Sequence, residues 1–566
     1  MESIIIKNWG PERAIDELNE SSRHYESVAD ETLLNIIRDN KDTEIGKKFG
    51  FGEVKRVGDF LNNMPLTTYD DYREYVEREI EGEKNLVTVY PIKYFMQSSG
   101  TTGTSKFIPM TEQAVRNYAR YSYEYAYENI RRYYDKNLDQ KEVLREGRIL
   151  LINEIRYRRL NDRYKCGLVS GAMFEWLKEK DRMEYSRYTS PKEVIFPEEE
   201  MDMNYMKLRY ALEARDVVAI EGVYVHQILN LLYYMHNNWK FLVDDIEKGI
   251  ISDSIQVSPE LKKKLSAGLK PNLERAAELR SEFEKGFDTP IVPRIWKNIK
   301  FVMGISGGAF NKYMEKLKGY IGKVPYHYFI YAASEGIYGP ALQVDRPDNY
   351  ILAPNLGYFE FIPADVLDDP TKDLKREILQ SKDIKVGEKY EFVYTGYSGF
   401  YRYRTGDVLE IVGYYNHAPI IKFCYRSKQT VNIAGEKMDM ASISDVVEKF
   451  QRKYDISGGD FCVYMDTDTI PARYNVLMEV DEVPAVSMSK CDRTIDSMFK
   501  EINLDYEDCR NLGEIGPAIV YFLEKGTFEG YRCLLMNSGK EVGQFKPVRI
   551  LDDKQKKDYF FAHIKH

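Results

Sequence analysis

The sequence predicts an α/β protein made of one large domain followed by a small one, and three observations carry that prediction. A chain of 566 residues exceeds what a single core supports, so two or three domains are expected. Two apolar strand candidates run straight into loops of small residues. These are Phe301-Val-Met303 into Gly304-Ile-Ser-Gly-Gly308, and Phe329-Ile-Tyr331 into Ala332-Ala-Ser334-Glu335-Gly336. Such loops mark the carboxyl ends of strands in open α/β sheets. Beyond Phe423–Lys428, strand and helix patterns alternate to the C-terminus, as in a separate α+β domain.

Bulk properties exclude several classes. Hydrophobic residues make up 43%, enough for globular cores, so global disorder is excluded. A net charge of −9 without a long basic block argues against nucleic-acid binding. Cys166, Cys424, Cys462, Cys491, Cys509 and Cys533 form no C-x-x-C pair and no zinc spacing, so they read as inert thiols in a reducing compartment. The first residues carry an apolar run of three, too short for a signal peptide. No stretch approaches the roughly eighteen apolar residues of a membrane span. The expected location is cytoplasmic.

Taken in order, residues 12–27 and 30–48 read as helices, with Asp30 as N-cap of the second. A charged helix follows at Tyr72–Gly82. Thr111 caps a long helix from Glu112 to about Asp135, whose tyrosines 118, 121, 123, 125 and 127 read as packing. Ile149–Ile152 and Val217–Glu221 read as strands, residues 155–205 as irregular, and His226–Met235 as a helix ended by Asn238-Trp239. Tyr350–Ala353, Tyr358–Ile362, Lys389–Tyr394, Tyr401–Tyr403 and Val408–Val412 read as strands, with a turn at Thr405-Gly406-Asp407. In the last domain, Ala441–Arg452 and Cys491–Glu501 read as helices; Phe461–Met465, Tyr474–Val480 and Ile519–Glu524 read as strands.

Between two extended segments, Pro91–Gln97 and Phe107–Met110, lies Ser98-Ser99-Gly100-Thr101-Thr102-Gly103-Thr104-Ser105-Lys106. Closely spaced backbone N–H groups, two glycines without Cβ and a lysine make a nest for polyphosphate. It is not a Walker A loop, because Ser105 replaces the second glycine and no helix follows directly. The competing reading is a polar surface hairpin.

Three motifs then stand in order: Ser98-Ser-Gly-Thr-Thr-Gly-x-x-Lys106, Tyr331-Ala-Ala-Ser-Glu335 and Tyr401-Arg-Tyr-Arg-x-Gly-Asp407. They resemble the nucleotide motifs of the auxin-responsive acyl-acid amido synthetases, within the adenylate-forming, firefly luciferase-like superfamily. Pro65-Leu-Thr-Thr-Tyr-Asp70, Tyr358-Phe-Glu-Phe361 and Gln544-Phe-Lys-Pro-Val-Arg549 agree in order, so the resemblance spans nearly the whole chain. It implies an ATP- and acyl-acid-binding domain over residues 1–425, with mixed sheets and a β-barrel-like part. Residues 426–566 would form a small mobile C-terminal lid.

The resemblance also implies the reaction. A carboxylic acid is adenylated by ATP with release of pyrophosphate, and the acyl group then passes to an amino acid amine, forming an amide. Such chemistry rests on positioning and charge neutralisation, and suits a chain with only seven histidines. Ser98, Ser99, Gly100, Thr101, Thr102, Gly103 and Lys106 would hold phosphates. Tyr331, Ala332, Ala333 and Ser334 would line the adenine, Asp407 would accept from the ribose hydroxyls, and Arg426 would contact ribose or phosphate. Glu335 would hold Mg²⁺, and Lys546 would reach the α-phosphate, with Lys437 as the competing candidate. Expected partners are a small carboxylic acid and an amino acid, with no nucleic acid and no membrane. The alternatives are an adenylate-forming thioester ligase and a non-catalytic nucleotide-binding module.

Overall fold

The computed structural model describes residues 12–98, 106–134, 146–153, 155, 157–167, 169–306, 311–344, 349–367, 369, 371–426, 430–456, 458–537 and 548–565. The chain divides into two compact units. Residues 1–97 with 107–427 form one, and residues 98–106 with 428–566 form the other.

The larger unit begins with helices Glu12–Arg23 and Tyr25–Asp39. The break falls at His24, so Asp30 lies inside the second helix rather than capping it. The true cap downstream is Thr43, whose hydroxyl accepts the Gly46 N–H at 2.9 Å and donates to Asn40 at 2.7 Å. It opens a separate short helix, Glu44–Lys48.

A parallel sheet runs Arg148–Leu151, Val217–Tyr224, Phe301–Ile305, Tyr326–Tyr328. Against one face lies the helix Val225–Lys248, more than twice as long as its apolar core suggests. It passes Asn238 because that side chain donates back to the Tyr234 carbonyl at 2.9 Å instead of closing the end. It stops at Gly249, in the left-handed region at φ +67°, where a Cβ would meet Lys270 backbone at 2.2 Å. Gly222 is small for a related reason, since a Cβ there would press on Ile228 of this helix.

The other face is covered by the helix Glu112–Ala119, a π turn Arg120–Glu124 and the helix Tyr125–Tyr133. Tyr118, Tyr121, Tyr123, Tyr125 and Tyr127 are all buried, so they do serve packing. Tyr127 meets Phe301 edge-on at 5.7 Å, and Tyr123 meets Phe329 at 4.9 Å. Residues 155–205 are more regular than expected. They hold the strand Lys165–Gly167, paired parallel to Ile92–Ser98, and the helix Val169–Glu179.

A six-stranded antiparallel sheet completes this unit, in the order Tyr350–Ile351, Ala418–Arg426, Tyr403–Tyr415, Lys389–Gly396, Gly357–Pro363, Leu379–Gln380. The smaller unit has the sheet Gly458–Asp466, Arg473–Val480, Ile519–Leu523 with helices Met440–Lys453, Met488–Ile502 and Leu504–Asn511. Its buried Glu436 accepts from the Ile433 and Ala434 N–H groups, both at 2.7 Å, and from the Tyr474 hydroxyl. Cys166, Cys462, Cys491 and Cys509 are buried, and none of them forms a disulfide among the described residues.

Candidate functional site

The Tyr331–Glu335 motif does not end a strand of the parallel sheet. That sheet stops at Tyr328, and the chain turns into a hairpin of Ile330–Ala333 and Gly336–Pro340, with Ser334 and Glu335 at its tip. The reason lies in the glycines. A Cβ on Gly336 would sit 2.5 Å from the Tyr394 ring, and one on Gly339 would collide with the Ile351 carbonyl. Only a bare backbone lets the hairpin lie against the antiparallel sheet. Tyr331 is thereby buried in an aromatic cluster, its ring 5.3 Å from Tyr338 and 5.7 Å from Tyr350. Its hydroxyl donates to Asp407 Oδ2 at 2.8 Å. Ala332, Ala333 and Ser334 are half-buried and Glu335 is buried.

Asp407 was expected in a turn and instead lies within the long strand Tyr403–Tyr415. The turn signal survives as a bulge. Glu391 pairs with Val408 and Val393 with Arg404, so Thr405, Gly406 and Asp407 together oppose Phe392 alone. Gly406 supplies the positive φ, +76°. The Thr405 hydroxyl donates to the Phe392 carbonyl at 2.8 Å and accepts the Asp407 N–H at 3.2 Å. The bulge fixes the direction of the Asp407 carboxylate. Arg426 is its register partner on the neighbouring strand.

Two arginines of the same motif are clamps, a role the sequence reading missed. Arg402 sits in the left-handed region at φ +46°. Its guanidinium donates to both Glu360 oxygens at 3.0 and 2.7 Å, and to the Leu61 and Met64 carbonyls at 2.9 and 2.8 Å. Arg404 grips Glu391 at 3.0 and 2.7 Å. A signal existed: one glutamate inside each of two apolar strand candidates requires a cation when buried.

The two carboxylates of the site meet electrostatically at Tyr338. Burial pushes its phenol well above the ordinary value, and Glu335, Tyr331 and Asp407 push it further. Glu335 and Asp407 therefore both act electrostatically on one buried ring. Beside the hairpin a narrow cavity is lined by Ala333, Gly336 and Ile337, by Ala114 and Asn117 of the covering helix, and by Val169.

Other expected site residues lie elsewhere or outside the described residues. Ser98 ends the strand Ile92–Ser98 and Lys106 begins the strand Lys106–Thr111. Ser99, Gly100, Thr101, Thr102, Gly103 and Lys546 fall outside the described residues, as does the side chain of Arg426. Lys437 is half-buried at φ +46° in the smaller unit. Among the described residues no three His, Cys, Asp or Glu side chains cluster as metal ligands. A lone buried carboxylate such as Glu335 still fits Mg²⁺, which takes one or two carboxylates and completes its shell with phosphate and water.

Comparison with known proteins settles the ancestry. The GH3 family N-terminal domain matches residues 14–326, the central domain residues 350–426 and the C-terminal domain residues 441–555. The chain belongs to the GH3 family. Among GH3 relatives, the indole-3-acetic acid-amido synthetase GH3.3 of Arabidopsis thaliana is 29% identical, covering 95% of this chain and 91% of its own. The jasmonoyl–L-amino acid synthetase GH3.5 of Oryza sativa subsp. japonica is 29% identical over 96% of both chains. The solved structure of the AtGH3.15 acyl acid amido synthetase in complex with 2,4-DB shares the fold, with a TM-score of 0.66 at 23% identity, covering 98% of this chain and 97% of that one. In this GH3 chain, two of the three motifs noted in the sequence are joined by the hydrogen bond from Tyr331 to Asp407.

Proposed function

We propose that the protein is an ATP-dependent acid–amino acid ligase. It adenylates a carboxylic acid, releasing pyrophosphate, and transfers the acyl group to the amine of an amino acid, releasing AMP. The observation that carries this reading is the Tyr331–Asp407 contact, which brings a motif tyrosine and a motif carboxylate together from segments far apart in sequence.

Asp407, aimed by its bulge and held by Tyr331, accepts from the ribose hydroxyls. Ala332 to Ser334 line the adenine with backbone. The acid lies in the cavity beside Ala333, with its carboxylate toward the hairpin tip. A carboxylate attacking a phosphate meets repulsion, so neutralising charge is the main task. Glu335 would hold Mg²⁺, which supplies that neutralisation when bound. The loop Ser98–Lys106 takes the β- and γ-phosphates, Arg426 contacts ribose or phosphate, and Lys546, or Lys437 in its place, approaches the α-phosphate. Among the described residues no helix is long and apolar enough to cross a membrane; the ligase works in the cytoplasm.

The test is pyrophosphate release from ATP with a panel of carboxylic acids, followed by mass spectrometry of amides formed with pooled amino acids. AMP, pyrophosphate and an amide are expected. ADP and phosphate as products, or a thioester formed with coenzyme A in place of the amide, would overturn the reading.

A further inference from the structure

A row of register partners crosses the parallel sheet. Glu221 on Val217–Tyr224 pairs with Met303 on Phe301–Ile305, and Met303 pairs with His327 on Tyr326–Tyr328. Partners in a parallel ladder point to the same face, with strands about 4.8 Å apart. Glu221 and His327 therefore flank Met303 on one face. Tyr123 of the covering π turn is near this row: burial raises its phenol well above the ordinary value, and Glu221 is the next cause.

Both side chains are fully enclosed, Glu221 at 1% and His327 at 0% exposure. Among the described residues, neither Glu221 oxygen and neither His327 ring nitrogen has a hydrogen-bond partner. Two further atoms just past the carboxyl ends of strands in this sheet share this condition: Asn153 Oδ1 and Ser306 Oγ. Native interiors rarely leave one buried polar group unmet, and each is costly. Burial pushes the Glu221 carboxyl up to about 8 and the His327 imidazole down to about 3. Both are therefore neutral near pH 7, and each offers one donor and one acceptor.

Their place matches a ligand rather than a packing fault. Glu221, Met303 and His327 lie inside their strands, within three residues of the carboxyl ends, the edge at which α/β sheets bind small molecules. The covering segment carries its π turn there, a feature common at functional sites. That segment also lines the cavity beside Ala333 through Asn117, and Tyr123 is six residues on, about 9 Å along a helix. The same helical segment thus runs from the cavity to the ring whose phenol feels Glu221. His327 in turn precedes Tyr331 by four residues.

We propose that Glu221 and His327 receive a hydroxyl group at the far end of the acyl substrate, and so select hydroxylated carboxylic acids over their unsubstituted analogues. The hydroxyl would accept from the Glu221 carboxyl and donate to the free nitrogen of His327. The inference rests on the ligase reading above.

The test is the ratio of kcat/KM in acid-dependent pyrophosphate exchange for matched pairs: 4-hydroxyphenylacetic against phenylacetic acid, and 4-hydroxybutyric against butyric acid. A 4-aminophenylacetic arm probes the competing polar group. Wild type should favour the hydroxylated member of at least one pair by about tenfold or more, since unmet buried groups penalise the analogue. Glu221→Leu and His327→Phe should each bring that ratio close to one, while Glu221→Gln keeps part of it. Should either truncating variant fail to fold by circular dichroism, the wild-type ratio still decides. Equal rates within both pairs, a preference for the unsubstituted or amino acid, or variants that leave the ratio unchanged would overturn the inference while the ligase reading stands. Absence of exchange with every acid would overturn the ligase reading, and this inference with it.

Discussion

Two pairs of buried ionisable residues in the larger unit are near opposites. Arg402 and Glu360 are as deeply enclosed as Glu221 and His327. In the first pair the guanidinium donates twice to the carboxylate and twice to backbone carbonyls. Burial still raises the Glu360 carboxyl above its ordinary range, with the Arg402 charge pulling it back. In the second pair, neither side chain has a hydrogen-bond partner among the described residues. Burial of a charged residue type therefore does not identify a site. A satisfied pair holds the scaffold in which Asp407 is mounted, whereas an orphaned pair has chemistry left to offer.

Replacing one member of each pair tests that contrast most strongly. Arg402→Leu strands a buried carboxylate and should destabilise the larger unit by about 3–5 kcal/mol, read from urea unfolding. Arg402→Leu combined with Glu360→Leu should lose clearly less. A single mutant as stable as wild type would remove the distinction. Asp407→Ala should weaken ATP binding by about 1.5–3 kcal/mol in calorimetry, the scale of hydrogen bonds to a charged group, with the fold intact. Unchanged affinity would sink the ribose assignment.

Glu221→Leu should go the other way from Arg402→Leu and stabilise the unit by about 1–3 kcal/mol, because an unmet buried group disappears. Its pH signature is specific. The folded carboxyl titrates at about 8 against an ordinary 4.5, so the folded state holds the proton more tightly. That contribution is complete below the unfolded value and is lost as pH rises toward 8. Glu79 shifts in the same sense, so the readout is the difference between wild type and variant. The stability gap should widen from pH 5 to 8; a constant gap would mean that Glu221 is ionised in the fold. The smallest effect belongs to Tyr331→Phe. Loss of one hydrogen bond should reduce ATP affinity by about 0.5–1.5 kcal/mol. A loss as large as that of Asp407→Ala would make Tyr331 a direct ligand rather than a support for the carboxylate.

The legibility of these features follows from how local they are. Asp407 and Tyr331 could be picked out because each sits in a short motif whose residue types are matched to a task. Two helices of the smaller unit, Met440–Lys453 and Met488–Ile502, were readable because their apolar spacing is regular, whereas Leu504–Asn511, Thr527–Asn537 and Lys554–Ala562 were not. Glu221 and His327 were invisible. Each is a single polar residue in an apolar strand, and what makes them a pair is register across Phe301–Ile305, set by strands distant in sequence. The hairpin at Ser334 and Glu335 was missed for a similar reason, since it depends on space beside Tyr394 and Ile351 rather than on local propensity. The length of the helix Val225–Lys248 was underestimated because Asn238 was read as a stop, although it bonds back into the helix.

The three-against-one arrangement opposite Phe392 has a consequence for how this segment can change over evolutionary time. Side chains along a strand alternate between the two faces, so removing one residue from Thr405–Asp407 would exchange the faces of Val408 and Leu409, both of which are fully buried where they now sit. Removing two would preserve the parity and cost only the aim of the acid. Insertions and deletions in this stretch should therefore survive in even numbers, and lineages that trim the protrusion by a pair should keep their fold while losing the direction that the bulge gives Asp407.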